Sequence, residues 1–493
     1  MPPAYPLALP HLETSDVTLD RAFRIALGDL ASNIVPFQDG LLDAPAPVLL
    51  AGLGYDAPWT RDAAINTWNG AGLLCPTVAR DTLLSVLARR DGAVVIGGQY
   101  DQYWDAIIWA LGAWALYLYT GDRAFLALAF DATRRTLARL EVTERDPATG
   151  LFRGPAVYGD GVSAYPDAYA QTAGSASILD WPAANPDLVA PTGRGLPMYA
   201  LSTNCLYHAV YGVLDDMAVV LGAPRGPAWR ERASALRHAI HAHFWDAVAG
   251  HYRYLVGPLG ASDHQEGLGH AFALLFDVAS PAEATSVLRT QHITPAGIPC
   301  VWPPFARYAS AGGTRFGRHC GTVWPHIQGF WAEAAARHGA VDAFAFELRQ
   351  LAGKACRDAQ FAELYHPLTG AIYGGTQERA GMPLAGWDAL PRQTWSATGY
   401  LRAVLMGLCG LRFEPAGVRF APLVPPGIAG VVLRRLPYRE MTLDLAIAGT
   451  GTHVAVCAID GAAVDEPFVP AAGSGPHRIE ITMSSAESAP DRG

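Results

Sequence analysis

Charged side chains are scarce in this chain: Asp, Glu, Lys and Arg make up 16% of 493 residues, 36 basic against 45 acidic, for a net charge of −9. No basic run could neutralise a phosphate backbone or an anionic lipid surface, so nucleic acid and membrane are set aside as partners. The sequence has no stretch of about 18 uninterrupted apolar residues. Its start, MPPAYPLALPHLETSD, lacks a charged segment followed by an apolar one. A cytoplasmic, non-exported protein is expected. Cysteines are few: the seven, Cys75, Cys205, Cys300, Cys320, Cys356, Cys409 and Cys457, form no C-x-x-C pair, which predicts reduced, mostly buried thiols. His319 and Cys320 adjoin, but no second ligand pair stands at zinc spacing, and neither metal nor other cofactor is expected.

Apolar surface is plentiful, at 51% of residues, ample for one large core or two unequal ones. From about residue 16 to 410 apolar positions recur at helical spacing, in segments closed by Gly, Pro, Asn or Asp. The spacing predicts helices over 16–34, 60–74, 102–120, 123–141, 199–221, 226–244, 264–276, 281–290, 319–338, 341–357 and 392–409, with a weaker one at 79–89. Short polar turns such as 120–122 predict antiparallel hairpins. Long links rich in Gly, Pro, Tyr and Trp, at 142–198, 291–318 and 358–391, suit a closed ring of hairpins with one pocket-building face. After Gly410, short β-branched segments separated by Gly or Pro predict a β-domain. The expected organisation is an N-terminal extension (1–15), a helical region (16–410), a β-domain (411–483) and a flexible tail (484–493).

Several helix starts carry more chemistry than a cap needs. Trp59, Thr60, Arg61 and Asp62 open the second helix; Thr60 or Asp62 suits a cap, and a guanidinium and carboxylate beside an indole suit a sugar's vicinal hydroxyls and apolar C–H face. Tyr100, Asp101, Tyr103, Trp104 and Asp105 crowd the next start, where Asp101 could cap and Asp105, one turn on, would share its face. In the loop 151–170, Asp160 stands between two glycines and Asp167 follows a proline, both turn-forming contexts. Tyr158, Tyr165 and Tyr169 frame them, and such low-polarity surroundings raise a carboxyl and keep it protonated as a general acid. Asp160 is the preferred acid and Asp167 the reserve. Glu363 precedes Tyr365 and His366; held by hydroxyl and imidazole donors it would stay ionised and activate water. Trp302, Arg307, Arg318, His319, Trp324, His326 and Trp331 add aromatic and basic groups, and His319 and His326 are expected two turns apart on one helix. Thirteen Trp and nineteen Tyr, concentrated in these loops, point to a small carbohydrate as the ligand.

In this order the segments resemble glycosidases of the six-hairpin type. PWTRDAA (58–64) is similar to the WTRD segment of glucoamylases, whose Arg and Asp bind the terminal sugar; here these are Arg61 and Asp62. YWDAIIWALGAWALYLYTGD (103–122), AELYHPLTG (362–370) and QTWSATGYLRAVL (393–405) resemble glycoside hydrolase family 63, including glucosylglycerate and mannosylglycerate hydrolases, and the match makes Glu363 the base. The acid segment departs from the family's S-G-x-D-D/N-S-P, reading Y-G-D-G-V-S-A-Y-P-D at 158–167. The resemblance implies a mainly α fold, an (α/α)6 barrel with a C-terminal β-sandwich. It also implies exo-acting, inverting hydrolysis that releases a terminal sugar, expected to be glucose, from a short α-linked glycoside, with Asp160 as acid and Glu363 as base. Trp59, Arg61, Asp62, Tyr100, Asp101, Trp104 and Asp105 would bind the sugar, with Trp302, Arg318, His319, Trp324, His326 and Trp395 completing the pocket. Three alternatives stand beside this reading: a glycoside phosphorylase, a sugar epimerase working through His319 and His326, and a non-catalytic sugar-binding protein.

Overall fold

Twelve helices of seven residues or more form among the described residues: α1 (Val17–Ser32), α2 (Thr60–Asn66), α3 (Pro76–Ser85), α4 (Trp109–Thr120), α5 (Arg123–Thr143), α6 (Leu201–Leu221), α7 (Trp229–Phe244), α8 (Gly267–Leu275), α9 (Pro281–Thr290), α10 (Pro325–Arg337), α11 (Val341–Asp358) and α12 (Thr394–Arg402). The computed structural model describes residues 9–98, 102–170, 177–224, 228–310, 312–379 and 382–484. Tyr100 and Asp101 lie outside them. Local chemistry sets many helix ends. Asp16 and Asp122 cap α1 and α5 by accepting from Thr18 N and Phe125 N, and Ser280 with Glu283 forms a capping box on α9. Gly121 and Gly222, both left-handed, end α4 and α6.

Two expected helices start late. The segment from 102 becomes regular only at Trp109, after a 3-10 turn at Ala106–Ile108, and the one from 319 begins at Pro325, because a proline without N–H fits the first helical position. His319 therefore precedes the helix that carries His326, and the two histidines are not on one helix. α2 and α12 each run on into a π-helical segment, at Thr67–Ala71 and Ala403–Leu408.

The even-numbered helices contact one another in a closed cycle: α2 with α4, α4 with α6, α6 with α8, α8 with α10, α10 with α12, and α12 with α2. Odd-numbered helices pack outside, α1 on α11 and α12, α3 on α2 and α4, α5 on α4 and α6, α7 on α6, and α11 on α10. Glycine permits the closest approaches. A Cβ on Gly329 of α10 would sit 2.3 Å from the Gly399 carbonyl oxygen of α12, and one on Gly112 of α4 would sit 2.7 Å from Ala64 Cα of α2.

The C-terminal region is strand-rich. With β1 (His11–Thr14), it comprises β2 (Leu411–Glu414), β3 (Gly417–Phe420), β4 (Gly430–Tyr438), β5 (Met441–Ala448), β6 (His453–Ile459), β7 (Ala462–Val464), β8 (Phe468–Pro470) and β9 (Gly475–Ser484). Six strands order as β1-β4-β5-β9-β6-β7, with β5 and β9 parallel, and three as β2-β3-β8. Met441, Leu443, Leu445 and Ile447 alternate inward along β5, the period of two that buries one face. β1 pairs antiparallel with β4, so residues expected as an extension ahead of the helices form an edge of this sheet. One hydrophobic cluster joins the strands to α1, α11 and α12, through side chains such as Phe23, Leu348, Leu401, Leu433 and Ile479. All seven cysteines are free thiols, and among the described residues no helix is long and apolar enough to cross a membrane.

Candidate active site

A cavity of about 380 Å³ opens where α2, α10 and α12 begin. Arg61 and Asp62 come from the first turn of α2, with Trp59 just ahead of it; Trp324 immediately precedes α10, and Trp395 stands in the first turn of α12. Asp160, Arg318, His319 and Glu363 enter from the long loops. Nine of the residues expected from sequence thus line one space: Trp59, Arg61, Asp62, Asp160, Arg318, His319, Trp324, Glu363 and Trp395.

Glu363 is held rigidly. Its Oε1 accepts from Arg318 Nη2 at 2.6 Å and its Oε2 from Leu390 N at 3.0 Å, and the carboxylate is only 3% exposed. These donors replace the expected ones. The Tyr365 hydroxyl accepts from Ala362 N, and His366 lies 2.9 Å from Thr314 O, so neither ring serves Glu363. Two donors, one on each carboxylate oxygen, fix its direction.

Asp160 is more open, at 36% of its side chain, with Arg61 Nη2 3.8 Å away and Gln102 Nε2 donating at 3.5 Å. Burial pushes its carboxyl up, but the guanidinium groups of Arg61 and, further off, Arg318 hold it below the usual carboxylate range. This corrects the expectation that tyrosines raise it. The Tyr158 hydroxyl donates to Cys300 O and the Tyr165 hydroxyl to Gly159 O, so both brace the loop from behind. Beside Arg61 the elevated carboxyls are Asp62 and Asp105, each pushed up to about 7 by burial with Arg61 opposing. Asp105 lies behind the wall, 3.6 Å from Arg61, and does not line the cavity.

Other expected residues stand elsewhere. Asp167, the reserve acid, is 77% exposed and ion-paired to Arg307 at 2.6 Å, outside the cavity, because its 3-10 turn faces outward. Trp104 is fully buried edge-on to Tyr103, and Trp302 stacks on His292 at 4.1 Å, so neither lines the cavity. His326 also stops one layer short, stacked on Trp395 at 4.3 Å, while His319 stacks on Trp324 at 4.8 Å. Burial keeps both imidazoles neutral, His319 down to about 3 and His326 well below its ordinary value. Among the described residues, buried polar atoms without a hydrogen-bond partner gather here: Asp62 Oδ1, both nitrogens of His319, and the indole N–H groups of Trp324 and Trp395. Such atoms match a ligand rich in hydroxyls, each both donor and acceptor.

Sequence reading missed Tyr55, Gln102, Ser177, Gln377 and Trp387, which also line the cavity. Tyr55 meets Trp59 edge-on at 6.3 Å and lies in the same short motif, so proximity in sequence could have found it. Trp387, with Arg318 over its ring at 5.5 Å, sits in a segment whose letters carry no periodic signal. No group of three or more His, Cys, Asp or Glu suited to a metal occurs among the described residues, and Cys320 Sγ instead accepts from Phe305 N.

An aromatic cavity at one end of a helix ring, with carboxylates on separate loops, is the kind of site a glycoside hydrolase uses. Within that class, the family model described as "Mannosylglycerate hydrolase MGH1-like glycoside hydrolase domain" matches residues 55–396, and the chain belongs to that family. No curated protein matches it by sequence. Among solved structures it is similar to a sialidase (TM-score 0.63, 14% identity, 87% of this chain and 37% of that one). It is also similar to the glycoside hydrolase family 78 rhamnosidase of Bacillus sp. GL1 (TM-score 0.55, 16% identity, 98% and 45%). A third is the family 63 mannosylglycerate hydrolase of Thermus thermophilus, in complex with glucose (TM-score 0.55, 16% identity, 78% and 100%). The chain therefore spans under half the length of the sialidase and of that rhamnosidase.

Proposed function

We propose that this protein is an exo-acting, inverting glycosidase that removes the terminal sugar, glucose or mannose, from a short α-linked glycoside such as a hexosylglycerate. The closed cycle of even-numbered helices is read as an (α/α)6 barrel, and the C-terminal strands as a β-sandwich appended to it. The observation that carries the activity is the shared cavity of two unlike carboxylates, Glu363 fixed by Arg318 and Leu390, and the more open Asp160. Glu363 draws a proton from water while Asp160 protonates the departing oxygen from the other side, which requires carboxyls roughly 6.5–9.5 Å apart. This role requires Asp160 to carry the proton when the sugar is bound, against Arg61 and Arg318, which hold it below the usual carboxylate range in the free protein. Arg61 and Asp62 hold the terminal sugar's hydroxyls, and Trp59, Trp324 and Trp395 cover its C–H face.

The test is a proton NMR time course with glucosylglycerate, mannosylglycerate and a pool of α- and β-linked disaccharides, with and without phosphate. Phosphate-independent release of a sugar whose first-formed anomer is opposite to the cleaved bond is expected. Glu363→Gln should lower turnover by about a thousandfold or more while leaving substrate binding intact. Retention of configuration would refute the water-activating role of Glu363, and a strict need for phosphate would make the enzyme a phosphorylase.

A further inference from the structure

A second cavity, of about 730 Å³, is at the opposite end of the helix ring from the carboxylates. Three of its helices also build the active site: α2, α10 and α12 begin at the catalytic cavity and run toward this one, which they reach with Trp68 just beyond α2, Glu333 and Arg337 on α10, and Arg402 on α12. Both π-helical segments border it, contributing Trp68 and Met406, and a π segment widens a helix and frequently marks a functional place.

Its charge is opposite to that of the chain. Five arginines and three acids line it in a protein of net charge −9. At its inner end Glu333 alone faces three guanidinium groups, Arg402 at 2.5 Å, Arg337 at 2.6 Å and Arg412 at 3.8 Å. Arg402 and Glu333 form a buried pair, each 1% exposed, so the two positive charges left over sit on Arg337, 38% exposed, and Arg412, 19% exposed. Arg402 is clamped between Trp68 at 4.1 Å and Phe330 at 4.3 Å, and among the described residues no partner meets its Nε. Guanidinium groups in excess of the carboxylates around them, and partly withdrawn from water, attract an anion. Part of the remaining wall is aromatic: Trp114, Tyr119, Phe276 and Phe413 give flat apolar faces of the kind that pack on a sugar ring.

We propose that this second cavity is a binding site for a phosphorylated sugar, whose dianion answers the two surplus guanidinium charges and whose ring lies on the aromatic wall. Phosphate prefers arginine forks, and the volume admits a hexose phosphate. The site lies apart from the carboxylates and does not depend on the hydrolase reading. A polar ladder nonetheless joins the two ends: Thr398 donates to Asn66 at 2.8 Å and Arg402 donates to Asn69 at 3.0 Å, linking α12 to α2 and to the π-helical segment that continues it.

Isothermal titration of the full chain with glucose 6-phosphate tests this, with inorganic phosphate and glucose as comparison probes. Saturable one-to-one binding is expected in the wild type and in Glu363→Gln alike, about tenfold or more weaker in Arg337→Gln. Trp114→Leu, on the aromatic wall, should weaken it similarly and decides the matter if Arg337→Gln does not fold. Both comparison probes should bind about tenfold or more weakly than glucose 6-phosphate. Absence of binding would mean that the arginines only neutralise converging helix C-termini. Unchanged affinity in both variants, loss in Glu363→Gln, or equal affinity for inorganic phosphate would each overturn the assignment.

Discussion

Replacing Arg61 with Met removes the cation that the buried Asp105 and the more open Asp160 share. Arg61 is 4% exposed, stands 3.6 Å from Asp105 and 3.8 Å from Asp160, donates to Val157 O and lies 5.3 Å over the Trp395 ring. At an effective dielectric of about 20 the buried Asp105 pair is worth about 4 kcal/mol of Coulomb attraction, and the Asp160 pair, more than a third exposed, less. Desolvation of the guanidinium offsets part of this, leaving an expected destabilisation of about 3–5 kcal/mol at pH 8. The cost should be smaller at pH 5. Asp105, up to about 7 even beside Arg61, is protonated there in both proteins. Asp160, depressed in the wild type, rises in the variant because Arg61, the strongest of the groups opposing burial, is gone. A carboxyl raised above its unfolded value destabilises the fold as pH climbs through that interval, so acid restores the variant. Urea unfolding at the two pH values measures the difference. An equal cost at both, or less than about 1 kcal/mol at pH 8, would refute the shared-cation account. If Asp160 donates the proton, the basic limb of kcat/KM should also move to higher pH in the variant.

Glu333, 1% exposed, is pushed up by burial but held down to about 2, from an ordinary 4.5, by Arg337, Arg402 and Arg412. That depression contributes about 3 kcal/mol above pH 4.5, lost as pH falls toward 2, so the cost of Glu333→Gln in urea melts should be largest at neutral pH and shrink in acid. Glu266 is the opposite case, fully buried and pushed up to about 8 by burial, with Ser202 opposing. Wild-type stability should therefore fall from about pH 5 to pH 8 relative to Glu266→Gln; parallel curves would show that Glu266 does not titrate there. Gly329→Ala places a Cβ 2.3 Å from the Gly399 carbonyl oxygen, and calorimetry should find a lower Tm, equivalent to about 1–3 kcal/mol.

Much of the architecture was legible because helical periodicity is local. The apolar spacing marked eleven segments and a weaker twelfth, and all contain helix, with boundaries off where a local feature intervened, as Pro325 shows by starting α10 after His319. The motif letters also carried the cavity's main groups, since Trp59, Arg61 and Asp62 sit together at one helix start and Trp395 at another.

Direction was not legible. The letters do not say that Asp105 turns behind the wall to Arg61 while Asp160 faces the cavity, or that Asp167 turns outward to Arg307. They could not supply the donors on Glu363 either, because Arg318 lies 45 residues away in sequence and Leu390 lies 27. Composition and periodicity by themselves determined a helix-rich chain with a strand-rich end and aromatic loops, since these follow from side-chain spacing along one segment. Which carboxyl is elevated and which depressed was decided by tertiary structure alone. That depends on where Arg61 ends up among the acids around it and on how much water each loses, and both are properties of packed loops from distant parts of the chain.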